Sequence, residues 1–158
     1  MTVAPSLYLL RGDDKTRFRE LIATFKAGLG DPDTADLNTS ILDGESLNIN
    51  GLVADVMAVP FLAPRRLVIL ENARNFLSKQ AKDNKERVLK LFDELPESTA
   101  LVLQVEDQII KRSGNAGWEN IKSYKWVEEW INTHPEQGIV VNCSLPSQDD
   151  MPVDQATV

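Results

Sequence analysis

The chain has 158 residues, of which 42% are hydrophobic and 26% are charged, a composition typical of a soluble globular protein. This length allows one domain with a substantial core and excludes two of ordinary size. The formal net charge is −7, from 17 basic and 24 acidic residues. We therefore expect the domain as a whole to be repelled by phosphate backbones, so that it contacts DNA only indirectly.

Five short apolar runs predict strands that are buried on both faces, because apolar residues are continuous in them rather than alternating. These runs lie at Ser6–Arg11, Thr39–Leu42, Leu67–Leu70, Ala100–Val105 and Ile139–Asn142. Between them, apolar residues recur at helical spacing. The predicted helices run from Asp13 or Asp14 to about Gly28, from Asn50 to Met57, from about Ser78 to Leu95, and from about Trp118 to Asn132.

This alternation of strands and helices predicts the fold class. Short links between consecutive elements require right-handed crossovers, which place helices on both sides of a sheet. We therefore predict an α/β fold with a five-stranded, mostly parallel sheet and helices on both faces. Sheets of this kind usually bind their ligands at the carboxyl ends of the strands.

The remaining composition sets further limits. A single cysteine, Cys143, excludes an internal disulfide, and no Cys/His cluster predicts a structural metal. No apolar run approaches the ~20 residues that a membrane span needs, and Met1–Ser6 has no signal-peptide pattern. We expect a cytoplasmic protein without membrane contact. Residues 145–158 are acidic and aperiodic, so we predict a linker or disordered tail after a domain of residues 1–144.

The first strand ends where a phosphate-binding loop would begin. Such a loop reads G-x-x-x-x-G-K-[ST], and its backbone amides surround the phosphates. This chain has Gly12-Asp13-Asp14-Lys15-Thr16 instead, with one glycine and two carboxylates. Glu71, after the third strand, could hold magnesium only if a phosphate lay opposite it. We therefore predict no nucleotide, metal or other cofactor.

No catalytic group is predicted elsewhere. His134 is the only histidine; it lies beside Pro135 at a predicted helix end, where a cation is favoured. Cys143 at a strand end is typical of a small buried residue. We expect no intrinsic catalysis in this domain.

The segment before the third strand carries the most informative pattern. Pro60 and Pro64 each remove a backbone donor and favour extended conformations in the residue before them. Phe61 and Leu62 therefore stand in a turn, where polar side chains are usual. Two interpretations follow: the pair folds back to cap the core, or it projects as a hydrophobic plug for a partner's pocket.

The order of motifs along the chain resembles the amino-terminal domain of the bacterial DNA polymerase III delta subunit, a part of the sliding-clamp loader. The motifs that carry the resemblance are Gly12-Asp13-Asp14, Leu42–Glu45, Pro60–Ala73, Leu101–Leu103 and Lys111–Ser113. Their most specific piece is the Pro-Phe-Leu-Ala-Pro-Arg-Arg block. The resemblance covers about Leu7 to Val141, although Gly114–Val127 follows the family pattern poorly.

The resemblance implies a fold related to AAA+ ATPases with a degenerate nucleotide site. It also implies a partner, the beta sliding clamp, which delta binds and holds open at one interface during DNA replication. The family's Leu-Phe clamp contact maps onto Phe61 and Leu62 in reversed order, with Met57, Val59 and Pro60 as neighbouring candidates. The family carries two further helical domains that contact other clamp-loader subunits, so the chain is expected to be an excised amino-terminal domain.

Two other classes of function remain open from the sequence. A nucleotide-binding regulatory domain would bind ATP or GTP through Lys15. A receiver-like phosphoacceptor domain would use Asp13 and Asp14, which follow the first strand as the acids of such domains do. That class also needs an aspartate after the third strand and a lysine after the fifth, whereas this chain has Glu71 and no such lysine.

Overall fold

The computed structural model describes residues 4–145, apart from the side chain of Arg112. Of the predicted tail at residues 145–158, residues 146–158 lie outside the described residues. The elements in chain order are β1 (Leu7–Gly12), α1 (Lys15–Ala27), α2 (Pro32–Leu37), β2 (Thr39–Asp43), α3 (Ile49–Val56), β3 (Arg66–Glu71), α4 (Ala73–Ser78), α5 (Lys82–Asp93), β4 (Thr99–Glu106), β5 (Ile109–Arg112), β6 (Asn115–Trp118), α6 (Lys125–Thr133) and β7 (Gly138–Asn142).

The five predicted strands form one sheet in the order β2-β3-β4-β1-β7, and every neighbouring pair is parallel. Because all five strands run the same way, their first residues share one border of the sheet, the amino edge. Their last residues share the opposite border, the carboxyl edge. The predicted α/β fold with a five-stranded parallel sheet is confirmed.

Helices cover both faces of the sheet. Along β3, Val68 and Leu70 join the core cluster that contains α3, α4, α5 and α6, whereas Leu67 and Ile69 join the cluster that contains α1 and α2. Successive side chains of a strand point to opposite faces, so a strand with a helical layer on each side must be apolar throughout. This explains why the central strands read as continuous apolar runs.

The helix predicted from about Ser78 to Leu95 is α5, which begins later than predicted, and a separate short helix, α4, precedes it. Helix α4 begins directly after β3 and ends at Ser78, and α5 begins at Lys82. The side chain of Gln80 donates to the carbonyl of Phe76 at 2.6 Å and closes the end of α4. The apolar residues of α4, which precede Ser78, are buried and were not read as a helix.

The helix predicted from Trp118 begins only at Lys125, because the preceding chain forms a hairpin. Strands β5 and β6 pair antiparallel, and Trp118 lies opposite Ile109. The buried carboxylate of Asp107 holds the base of this hairpin: it accepts from the Tyr124 hydroxyl at 2.7 Å and from the Asn120 side chain at 3.0 Å. Burial, and then this hydrogen bond, raise the pKa of the Tyr124 phenol.

A short helix, α2, occupies residues for which the sequence analysis predicted no helix. Asp31 caps it by accepting from the backbone amide of Thr34 at 2.8 Å, and Pro32 stands at its first position, where proline is well tolerated. The helix ends at Leu37, and Asn38 follows it immediately before β2. Among residues 4–145, no helix is long and apolar enough to cross a membrane.

Candidate functional site

The segment 57–64, here called the apolar turn, lies between α3 and β3 and therefore at the amino edge of the sheet. The general expectation for parallel sheets, a site at the carboxyl edge, is wrong for this segment. The difference follows from chain direction, because a link from a helix to the next strand always arrives at the amino end of that strand.

The apolar turn exposes its large side chains to solvent. Leu62 is 83% exposed, Val59 84%, Phe61 58% and Met57 38%, while Pro60 is half-buried. Side chains that cap a core lose most of their exposure. The exposure therefore contradicts the core-cap interpretation of Phe61 and Leu62. It leaves an uncharged apolar surface on one tight turn, of the kind that marks an interaction site.

The backbone of the turn is held from beneath by Asn38. The side-chain oxygen of Asn38 accepts from the Phe61 amide at 2.6 Å, and its side-chain nitrogen donates to the Phe61 carbonyl at 2.7 Å. The next residue, Leu62, has a φ of 55°, in the left-handed region that bulky side chains rarely occupy. The surrounding structure, rather than the preference of leucine, therefore sets this conformation.

The two arginines after the turn attach its second half to the sheet. Arg65 donates to the carbonyls of Pro5 at 2.8 Å and Glu97 at 3.1 Å, which precede β1 and β4. Arg66 is buried and forms an ion pair with Asp55 of α3. Both arginines of the Pro-Phe-Leu-Ala-Pro-Arg-Arg block thus hold the end of the turn against the sheet, while the apolar side chains of the block point to solvent.

Sequence analysis missed two residues near the apolar turn. Leu37, the last residue of α2, is 63% exposed, and Asn38, which follows it, is fully buried. Because Asn38 is bonded to Phe61, Leu37 lies beside the apolar turn although the two are distant in the sequence. The Asp31-Pro32 helix start was a readable signal for α2, whereas nothing in the sequence identifies the partner of a lone asparagine.

The carboxyl edge has no room for a phosphate where β1 ends. Gly12 lies so close to the end of β7 that a Cβ atom there would be 2.1 Å from the carbonyl carbon of Cys143. The Asp14 amide donates to the Cys143 carbonyl at 2.8 Å, and Asp13 accepts from the Leu145 amide at 2.7 Å. The chain's own backbone and two carboxylates thus occupy the place where a phosphate-binding loop presents free amides.

The other candidate residues at this edge are Lys15, Glu71 and Cys143. Lys15 is exposed and lies 4.0 Å from a carboxylate oxygen of Glu106, while Glu71 is also exposed. Cys143 is buried, which raises the pKa of its thiol to about 11 and keeps it in the unreactive protonated form. In residues 4–145 no group of three or more His, Cys, Asp or Glu side chains is placed to hold a metal ion.

His134 lies at the end of α6. Its ring stacks on Trp130 with 4.0 Å between centroids, and its Nδ1 atom lies 2.7 Å from the Trp130 carbonyl. The Trp130 indole in turn donates to Asp93 at 3.0 Å. The predicted position of His134 at a helix end is confirmed.

A family model described as "DNA polymerase III, delta subunit" matches residues 8–129, more than half of the chain. The chain belongs to the DNA polymerase III delta subunit family. This confirms the resemblance found in the sequence. The matched residues include both the apolar turn and the loop after β1.

Similar proteins agree with the delta family. DNA polymerase III subunit delta of Bacillus subtilis is 27% identical over 94 residues, which is 60% of this chain and 27% of that protein. The structure of the Bacillus subtilis DNA clamp loader delta protein matches with a TM-score of 0.63 and 21% identity, covering 91% of this chain and 40% of that one.

A second solved structure extends the comparison of the fold. A gamma subunit-related DNA polymerase III protein of Thermotoga maritima matches with a TM-score of 0.52 and 15% identity, covering 92% of this chain and 43% of that one. These similarities, with the five-stranded parallel sheet, show that this delta-family chain shares its α/β fold with both proteins. The chain spans less than half the length of each protein compared.

Proposed function

We propose that this chain is the part of a clamp-loader delta subunit that binds the beta sliding clamp through the apolar turn. By holding one interface of the ring, it helps to open the clamp for loading onto DNA during replication. The observation that carries the proposal is the exposed pair Phe61 and Leu62 on a backbone fixed by Asn38. Membership of the delta family supports the identity of the partner.

The apolar turn has the physical properties of a plug. Exposed apolar side chains gain free energy when a partner's pocket removes them from water, at about 25 cal/mol per Å² of apolar surface. Phe61 and Leu62 are adjacent, and Met57, Val59 and Pro60 surround them with further apolar surface and no charge. Protein interfaces typically have a few buried anchor residues surrounded by contacts that contribute little binding energy.

The proposal is tested by titrating the chain with the purified beta clamp from the same organism. We expect saturable binding whose affinity changes little between low and high salt, because salt screens charge contacts and leaves apolar burial intact. Absence of binding in the micromolar range would contradict the proposal. A strong loss of affinity at high salt would instead indicate an interface dominated by charge.

Other parts of the proposal concern the assembled complex. In a clamp loader this chain would contact further subunits mainly through domains beyond this one, reach DNA only through the complex, and act in the cytoplasm.

The receiver-like alternative gains no support. Asp14 caps α1 by accepting from the Arg17 amide at 3.1 Å, and the residues described after β7 are Cys143, Ser144 and Leu145, not a lysine.

The proposed role includes no ATP binding or hydrolysis by this domain itself. Titration with Mg-ATP should give no saturable heat in the micromolar range. The end of β7 lies against Gly12, and the carboxylates of Asp13 and Asp14 repel phosphate. The matched comparison is the Lys15→Ala variant, which should give the same flat titration. Saturable heat that disappears in Lys15→Ala would support the nucleotide-binding alternative instead.

A further inference from the structure

Asn38 occupies an unusual position beneath the proposed clamp contact. It is fully buried at the amino edge, 23 residues from Phe61 in the sequence, yet it bonds both backbone groups of that residue. Turns with exposed side chains normally sample many conformations, and a partner that binds one of them must restrict the others. A buried side chain that restricts them beforehand removes that cost from the binding step.

We propose that Asn38 is a positioning residue that holds the apolar turn in its clamp-binding conformation before the clamp arrives. The inference rests on the proposed function, since it concerns the same surface. It adds a residue that never reaches the clamp but determines how Phe61 and Leu62 are presented.

The side-chain amide of Asn38 makes all of its hydrogen bonds in a single orientation. Its nitrogen has two hydrogens, which go to the carbonyls of Phe61 at 2.7 Å and Thr34 at 2.9 Å, and its oxygen accepts from the Phe61 amide at 2.6 Å. Aspartate at this position would keep the acceptor and lose both donors. Only a primary amide of this length makes all three contacts, so the geometry specifies asparagine.

The backbone of Asn38 is itself fixed, so the contact is made from a rigid base. Its amide donates to the carbonyl of Ala35 in α2 at 3.1 Å, and its carbonyl accepts from the Leu67 amide of β3 at 2.8 Å. The residue therefore joins the end of α2, the start of β3 and the apolar turn. Within residues 4–145 the Leu62 amide, next along the turn, donates no hydrogen bond, so the restraint is centred on Phe61.

The first test uses the unaltered chain and needs no clamp. If Asn38 holds the turn in the unbound protein, the Phe61 amide should exchange its hydrogen with solvent at least 10-fold more slowly than the neighbouring Leu62 amide, because only the first is bonded. This contrast is informative because the side chains of both residues are exposed. Equal exchange at the two amides would overturn the inference.

The second test compares clamp affinity in Asn38→Ala and Asn48→Ala. Asn48 caps α3 at the end remote from the turn, by accepting from the Gly51 amide at 2.9 Å, so its loss reduces stability without freeing Phe61. Affinity falls with the fraction of molecules in the competent conformation. At a temperature where both variants are folded, we expect about 10-fold weaker binding for Asn38→Ala and unchanged binding for Asn48→Ala.

The outcomes separate the inference from the proposed function. Clamp binding by the unaltered chain together with full affinity in folded Asn38→Ala would overturn the positioning role and leave the proposed function in place. Failure of the unaltered chain to bind would overturn both. If Asn38→Ala does not fold, the exchange rates of the Phe61 and Leu62 amides still decide whether the turn is held.

Discussion

Replacing Phe61 and Leu62 together by alanine should weaken binding to the beta clamp by about 100-fold or more, or roughly 3 kcal/mol. Burying each side chain in a partner's pocket contributes roughly 1.5–3 kcal/mol, and truncation of such anchors typically costs about 2 kcal/mol or more. Binding isotherms of the unaltered and doubly substituted chains measure the effect directly.

The same variant should unfold at almost the unaltered temperature, because both side chains are exposed and surface substitutions rarely change stability by more than about 0.5 kcal/mol. A matched control is the pair Ile41→Ala and Ile139→Ala, which removes two exposed apolar side chains from the edge strands and should leave affinity unchanged. Equal loss of affinity in the control would mean that clamp binding is not specific to the apolar turn.

Gly12→Ala should be severely destabilising, with a loss of about 4 kcal/mol and a fall in the melting temperature of about 10 °C or more. Two causes combine at this position. The φ of Gly12 is 150°, which a side chain rarely adopts, and the added Cβ would meet the backbone of Cys143 and Ser144 at 2.1–2.4 Å. Neither backbone can move without breaking the pairing of β1 with β7.

Two other glycines separate these causes in a thermal melt. Gly30 has a φ of 122° but no atom within 4 Å of an added Cβ, so Gly30→Ala measures backbone strain alone and should cost about 1–2 kcal/mol. Gly117→Ala meets open space and should be nearly neutral. If Gly12→Ala melts like Gly30→Ala, the close approach of the two strand ends does not constrain the fold.

The strands could be predicted because burial on both faces leaves a direct trace in the sequence. The runs Leu67–Leu70 and Ala100–Leu103 are apolar without alternation, as a strand between two helical layers requires. Cap signals were equally direct: Asp14 both reads as a cap and accepts from the Arg17 amide.

The hairpin before α6 could not be predicted because its causes are distant contacts. Asp107 appears in the sequence as a polar residue after a strand, yet its burial and its bonds to Asn120 and Tyr124 determine where α6 begins. By contrast, the turn that carries Phe61 and Leu62 could be located from its prolines. The support from Asn38 could not, because a hydrogen bond across 23 residues leaves no periodic pattern.

The apolar turn and Leu145 lie at opposite edges of one sheet, since the turn enters β3 and Leu145 follows β7, where its amide is bonded to Asp13. β1 and β3 each have six residues, so at about 3.3 Å per residue roughly 20 Å separate the edges. Tightly packed protein interiors compress very little. The two edges are therefore held at a nearly fixed separation, so a movement of the domain as a rigid body displaces Phe61 and Leu62 together with the end of β7.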